Sequence, residues 1–325
     1  MTALPSHNAS GRPGVAVAVV CICGADHLER CLAALKAQEG APPFQVVVAC
    51  DPLIPGIEAV ARRHPEARIF ANAGERTPLE LASAVLRACD ADVLLLTEDH
   101  CVPRHDWVQR MLAARAPGRA VVGGRVEIRG DASTVNWAFY FVDFFRYAAP
   151  VSEGPSPTLT VCNVAYDREK LDAVRDLWRV RFEEPAVHGA LRERFGALWL
   201  VPDSEVAMRR SVSLRAALYE RYAFGRIFGH TRIEHISGAR RWLYAALAPA
   251  LPALLLGRMT AKALRSAALA RAFVRCFVPL VLMVLCWSWG EWLGYLTRRP
   301  SHSLVLAPEL GAESESSERR SCPVR

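Results

Sequence analysis

The run Val93-Leu94-Leu95-Leu96 is closed by Thr97-Glu98-Asp99-His100 and turned away by Cys101-Val102-Pro103, and no other segment restricts the fold of this chain more. A short continuous apolar stretch between turn signals reads as a fully buried strand, of the kind found in sheets covered on both faces. Open α/β sheets bind ligands beyond the carboxyl ends of such strands. Two carboxylates and an imidazole gathered there are costly to desolvate. The corner therefore predicts a bound group, and a hard divalent cation holding a phosphate suits it. A solvated acidic turn is the competing reading.

The flanking sequence supports the buried strand. From residue 14 the pattern alternates. Val15 to Ile22 is an apolar β-rich run, with Asp26 as N-cap of an amphipathic helix through Lys36. Phe44 to Cys50 is a second strand ending at Asp51; a helix over Ile57 to Arg63 and a short strand from Ala67 to Ala71 follow. Thr77-Pro78-Leu79-Glu80 combines an N-cap threonine, a first-turn proline and a glutamate at N3, a capping box that starts a helix to Cys89. Strand and helix in alternation imply right-handed crossovers and a mostly parallel sheet. Beyond it, Ala120 to Ile128, Leu159 to Ala165 and Leu198 to Val201 read as strands. The aromatic segment Thr134 to Tyr147, Arg168–Leu177, Pro185–Phe195 and the basic stretch Ser211 to Ile236 read as helices.

The chain is 52% hydrophobic, and the excess is concentrated after residue 240. Trp242 to Gly257 holds Pro249 and Pro252 and is too short to span a bilayer, whereas Cys276 to Leu296 is long enough. The intervening Arg258 to Arg275 carries basic residues and no acid, which assigns it to the cytoplasmic side. The expectation is one spanning or deeply inserted helix plus a membrane-dipping segment, with the α/β part at the cytoplasmic face of the inner membrane. Residues 1–13 and 300–325 read as disordered, 14–238 as the α/β domain and 239–299 as membrane-associated helices. No apolar leader opens the sequence.

A net charge of +7 fits a phosphorylated substrate or anionic membrane lipids. The basic residues do not interleave with aromatics as single-strand binders require, so no nucleic-acid partner is expected. The ten cysteines include no C-x-x-C pair. Cys21, Cys23, Cys50, Cys89 and Cys162 lie in or beside apolar segments, and read as small buried hydrophobes in a reduced compartment.

In their order these features resemble the family 2 inverting glycosyltransferases of the GT-A fold, membrane-attached type. The residues that carry the resemblance are Val15–Gln38, Val46-Val47-Val48-Ala49-Cys50-Asp51, Glu98-Asp99-His100-Cys101-Val102-Pro103 with Trp107, Thr160 to Tyr166, and Glu183-Glu184. The resemblance implies transfer of a sugar from a nucleotide-sugar donor to a lipid-linked or envelope-polysaccharide glycan acceptor. It also implies a divalent cation, Mn²⁺ or Mg²⁺, with Glu98 and His100 as ligands. His100 stands where the family motif has its second acid, and Met208-Arg209-Arg210 stands where the family has a further histidine; Arg209 or Arg210 could supply positive charge instead.

On the same resemblance Glu184, or its neighbour Glu183, is the catalytic base, and Asp51, Arg76, Glu98 and Asp99 bind the donor. Asn163 and His188 lie on the acceptor side, and Arg221 and Arg226 clamp the diphosphate. Each residue has a plainer reading. Glu183 and Glu184 favour a helix dipole, Asp51 is a turn residue before Pro52, and Arg76 is a solvated arginine. Asn163 is a buried amide needing partners, His188 an interfacial histidine, and Arg221 and Arg226 belong to a basic helix lying on anionic lipid. A non-catalytic membrane protein that keeps the fold to bind a nucleotide sugar or a protein is the alternative function.

Overall fold

The computed structural model describes residues 14–71, 77–128, 132–233 and 236–299; both termini and Arg76 lie outside them. The chain clusters into two compact units, one made of residues up to 129 with 147–210, the other of 130–146 with residues from 211 onward.

The first unit is built on one sheet. Its elements in chain order are β1 (Val15–Cys21), α1 (Ala25–Lys36), β2 (Gln45–Cys50), α2 (Ile57–Arg63), β3 (Ala67–Ala71), α3 (Pro78–Ala88), β4 (Val93–Glu98), β5 (Cys101–Pro103), α4 (Trp107–Ala113) and β6 (Arg119–Ile128). After the excursion through α5 (Thr134–Phe144), β7 (Gly154–Pro155), β8 (Val164–Asp167), α6 (Arg168–Asp172), α7 (Glu184–Phe195) and β9 (Ala197–Met208) complete it. The strand order is β3-β2-β1-β4-β8-β6-β9-β5, with β7 beside β9. As the alternation predicts, β3, β2, β1 and β4 are parallel. Beyond β4 the sheet is mixed, because β8 runs antiparallel to both β4 and β6 while β6 and β9 are parallel. β1 is buried along its whole length and β4 as far as Thr97, the signature of strands covered on both faces.

Three local expectations change. The helix α1 starts from Gly24, not Asp26. The segment read as a strand from Leu159 is a turn over 160–163, with Asn163 N–H bonded to the Thr160 carbonyl, and β8 begins only at Val164. The last strand extends to Met208 because β9 leaves Pro202–Ser204 out of register against β6, so the polar residues there interrupt the apolar pattern without ending the strand.

The second unit is helical: α5, then α8 (Leu214–Ile233), α9 (Gly238–Leu247), α10 (Leu251–Ala263), α11 (Ala267–Arg275) and α12 (Phe277–Thr297). Helices α8 and α12 touch backbone to backbone. A Cβ on Gly225 would lie 2.2 Å from the Trp287 carbonyl oxygen, and one on Gly290 2.1 Å from that of Tyr222. Close approach of this kind needs small residues spaced four apart, here Gly225 and Gly229 against Gly290 and Gly294. By length and composition two stretches could cross a membrane, Gly238–Ala263 and Phe277–Thr297. The first corrects the expectation that only the later block is long enough. Pro249 sits in a single 3-10 turn and Pro252 in the first turn of α10, positions where a missing N–H costs little, so helix continues through both.

Candidate active site

The corner after β4 divides its side chains between two neighbouring segments, the 160–163 turn and the turn after β1. The Thr97 hydroxyl donates to the Cys162 carbonyl at 2.8 Å. Glu98 Oε2 accepts from the Cys162 thiol at 3.3 Å and lies 3.5 Å from His100 Nδ1. Asp99 turns the other way and is fully buried. Its Oδ2 accepts from the backbone N–H groups of Ile22, Cys23 and Gly24 at 3.0, 2.8 and 3.2 Å. Gly24 takes φ 119° there, in the region that favours glycine. Asp99 thus braces, from a distant strand, the turn that leads from β1 into α1. Its Oδ1 has no hydrogen-bond partner among the described residues and is 3.8 Å from His100 Nδ1.

The neighbouring carboxyls titrate in opposite directions. Burial pushes Glu98 up to about 7. Asp99 is also penalised by burial, but the adjacent His100 and the N–H groups at Cys23 outweigh this and hold it below the usual carboxylate range. Burial pulls His100 down, yet the surrounding Cys101 and Cys23 thiols and Asp99 raise it well above an ordinary histidine. Burial pushes the Cys23 thiol up and His27 down, and the charge of Arg210, which reaches this corner, opposes the first shift and adds to the second.

The turn 160–163 is held from several sides. Val161 N–H donates to Glu184 Oε2 at 3.2 Å, next to the residue that binds Glu98. Glu184 opens α7, with Glu183 at the N-cap position. The structure therefore brings Glu98 and Glu184 to successive residues of one turn. Asn163 is fully buried within the same turn. Its Oδ1 accepts from Trp107 Nε1 at 2.7 Å, and its Nδ2 donates to the carbonyls of Arg125 and Ser204 at 2.8 and 3.0 Å. Both amide hydrogens are spent inside the protein. Gly124 gives these groups room: a Cβ there would sit 1.8 Å from the Ser204 carbonyl oxygen.

The other candidates are placed as follows. Asp51, at the end of β2, is buried and accepts from Leu53 N–H at 2.9 Å, a turn-forming contact. His188, four residues along α7 from Glu184, bonds Tyr166 through Nε2 at 2.8 Å, and burial pulls it down to about 3. Arg221 and Arg226 belong to the second unit. Arg221 pairs there with Asp143 and Glu220 over the ring of Phe139, while Arg226 bonds Tyr222, Thr297 and the Arg299 carbonyl.

Sequence reasoning missed Cys101 and Cys162 as site residues. Donor atoms of His100, Cys101 and Cys162 lie within 4.8 Å of one another, and so do those of Cys23, Asp99 and His100. Cys101 was visible as the neighbour of His100; Cys162 gave no signal, since the fold joins it to the corner across more than sixty residues. The donors bear on the expected cation. Mg²⁺ demands an octahedral shell of oxygens, whereas this corner offers one carboxylate, a second with an oxygen spent on three N–H groups, an imidazole and thiols. The set fits a cation that accepts nitrogen and sulfur.

No curated protein matches the sequence. Among solved structures, the mannosyltransferase PcManGT from Pyrobaculum calidifontis, in complex with GDP-Man and Mn²⁺, is similar at 16% identity and TM-score 0.48, over 94% of this chain and 81% of that one. S. aureus TarS 1-349 in complex with UDP-GlcNAc is similar at 12% identity and TM-score 0.46, over 82% and 89%. The model of the glycosyl transferase family 2 matches residues 17–175. That span runs from β1 through the β4 corner and the 160–163 turn, so the part of this chain that is similar to glycosyl transferase family 2 is the part that builds the candidate site, on a mixed α/β sheet.

Proposed function

We propose that the protein is an inverting glycosyltransferase that moves a sugar from a nucleotide-sugar donor to a lipid-linked or envelope-polysaccharide acceptor at the cytoplasmic face of a membrane. The observation that carries this reading is the meeting of Glu98 and Glu184 on adjacent residues of the 160–163 turn. Inversion needs one carboxylate to take the proton of the attacking hydroxyl while the nucleoside diphosphate departs from the opposite face. Glu184 at the head of α7 is assigned that base, with Glu183 as the neighbouring carboxylate. Asp51 at the end of β2 is assigned to the nucleoside, and Arg210 supplies positive potential near the departing phosphates. A divalent cation bound at the corner would add Lewis-acid assistance to that departure. Membrane attachment is supported by the two apolar helical stretches of the second unit and by its exposed Trp242, Leu264, Val274 and Val278.

Glu184→Gln tests the base. It keeps an oxygen for the Val161 N–H but cannot take a proton, so transfer should fall by about 10²–10⁴-fold while donor-induced thermal stabilisation persists. Undiminished turnover with the true acceptor overturns the assignment. Donor binding by the wild type without turnover on a broad acceptor panel would select the non-catalytic binding module instead.

A further inference from the structure

The corner contains a donor set that sugar transfer alone does not call for. One ring nitrogen of His100 and the Sγ atoms of Cys101 and Cys162 lie within 4.8 Å of one another, and all three residues are buried. A tetrahedral ion bound by two thiolates and an imidazole needs donor separations of roughly 3.5–3.8 Å, from metal–sulfur and metal–nitrogen bonds of about 2.3 and 2.0 Å. Small side-chain rotations close that difference. A second, independent sign is the state of the histidine. His100 is 3% exposed, its Nδ1 has no hydrogen-bond partner among the described residues, and the carboxylate oxygens near it stand off at 3.5 and 3.8 Å. A buried imidazole nitrogen facing oxygens too distant to bond is arranged for a partner that is not a protein atom.

We propose that His100, Cys101 and Cys162 form a thiolate–imidazole site for a borderline-soft divalent cation of the Zn²⁺ class. Binding needs both sulfurs as thiolates and the imidazole neutral, and releases whatever protons these three groups carry, so the dication and its two sulfur ligands sum to zero charge in the buried cluster. Softness of the donors sets the preference, since thiolates select Zn²⁺ over Mn²⁺ and Mg²⁺. The fourth position is left to Glu98, whose Oε2 lies 3.3 Å from Cys162 Sγ, or to an oxygen of a bound ligand. The site is held rigidly because the Cys162 carbonyl is fixed by Thr97 and the His100 carbonyl accepts from Arg209 N–H.

The inference goes beyond the transferase reading and stands without it, since it is read from metal binding and not from turnover. The full chain, purified reduced and stripped with chelator, is titrated with Co²⁺ alone. One equivalent should give the intense visible bands of a tetrahedral cobalt site together with a near-ultraviolet thiolate-to-cobalt band. One equivalent of Zn²⁺ should bleach both, and excess Mn²⁺ or Mg²⁺ should not. Cys162→Ser and Cys101→Ser should each weaken cobalt binding more than tenfold and diminish the thiolate band. Cys89→Ser, which alters a buried thiol outside the cluster, should leave the spectrum intact. Three results on the wild type alone overturn the proposal whatever the variants do: a cobalt spectrum without a thiolate band, displacement of cobalt by Mn²⁺, or mass mapping of a Cys101–Cys162 disulfide in the reduced preparation. A chain that shows the band but transfers no sugar keeps this site and loses the transferase reading, and the reverse result does the opposite.

Discussion

Replacing Asp99 by alanine separates its structural role from donor binding. The carboxylate receives three backbone N–H groups from residues 22–24. A hydrogen bond to a charged group contributes about 1.5–3 kcal/mol net, and a buried donor left unmade costs about 1–3 kcal/mol. Residues Ile22 to Gly24 are half-buried, so water can reach part of what the carboxylate leaves. Discounting one of the three bonds for that gives about 3–5 kcal/mol for Asp99→Ala. Asp99→Asn keeps an acceptor oxygen and loses only the charge, costing about 1–2 kcal/mol. At roughly 2–4 °C per kcal/mol for a unit of this size, Asp99→Ala should lower Tm by on the order of 10 °C. Thermal unfolding of the metal-free protein followed through the buried Trp107 and Trp178 reads the change. Glu98→Gln supplies a contrast. Because burial lifts Glu98 to about 7, its charge at pH 8 opposes folding, and the amide should leave stability unchanged or raise it by up to about 3 kcal/mol. If Asp99→Ala melts within about 1 kcal/mol of wild type yet no longer binds donor, the brace is wrong and Asp99 is a ligand residue.

Other perturbations follow from the same packing. Gly124→Ala places a methyl 1.8 Å from the Ser204 carbonyl and 2.5 Å from Asn163 Nδ2, and should cost about 3 kcal/mol or more in a denaturant titration. His188 is held neutral in the fold, with its pKa pulled below the unfolded value. The unfolded state therefore binds the extra proton first, and stability contributed by this residue falls as pH drops from about 6.5 toward 3, by roughly 2 kcal/mol at pH 5. His188→Gln should flatten that part of the pH profile, and an unchanged slope counts against the assignment. Gly229→Leu would drive a side chain into the Glu291 carbonyl, 2.3 Å from the position of its Cβ, and should part α8 from α12 with a red shift in Trp287 emission.

What the sequence made legible is what local chemistry specifies. The capping box at Thr77 is present as read, with Glu80 N–H donating to Thr77 Oγ1 and Thr77 N–H to Glu80 Oε2. The apolar runs mark β1 to β4, and their alternation with helices marks these strands as parallel. Both signals depend on neighbours a few residues apart. Features fixed by distant partners left no trace. Asp99 was recognisable as an acid at a strand end, but the N–H groups that define its role lie more than seventy residues earlier. Cys162 looked apolar because its partners are Thr97 and Glu98. β9 was cut short because Pro202–Ser204 break its alternation, a bulge that only pairing with β6 reveals. Pro249 and Pro252 suggested an interrupted block, whereas their places in first turns let helix persist from 238 to 263.

The turn 160–163 explains why the candidate catalytic carboxylates cannot be treated as free chemical groups. Thr97 fixes its carbonyl, Glu98 accepts from its thiol, Glu184 accepts from its first N–H, and Asn163 anchors its end to Trp107 and the carbonyls of residues 125 and 204. Glu98 and Glu184 are therefore held by two successive residues of one turn, one through a side-chain thiol and one through a backbone N–H, and displacing the turn moves both at once. Rigid support of this kind gives a reacting group its geometry, and it also means that deleting a carboxylate removes an acceptor on which the turn depends. An alanine at Glu184 would confound lost chemistry with a lost Val161 contact. The glutamine retains the contact and removes only the basicity. Where a proton acceptor doubles as a hydrogen-bond acceptor for the backbone, the isosteric amide isolates its chemistry, and any activity lost in Glu184→Gln at unchanged Tm belongs to the base itself.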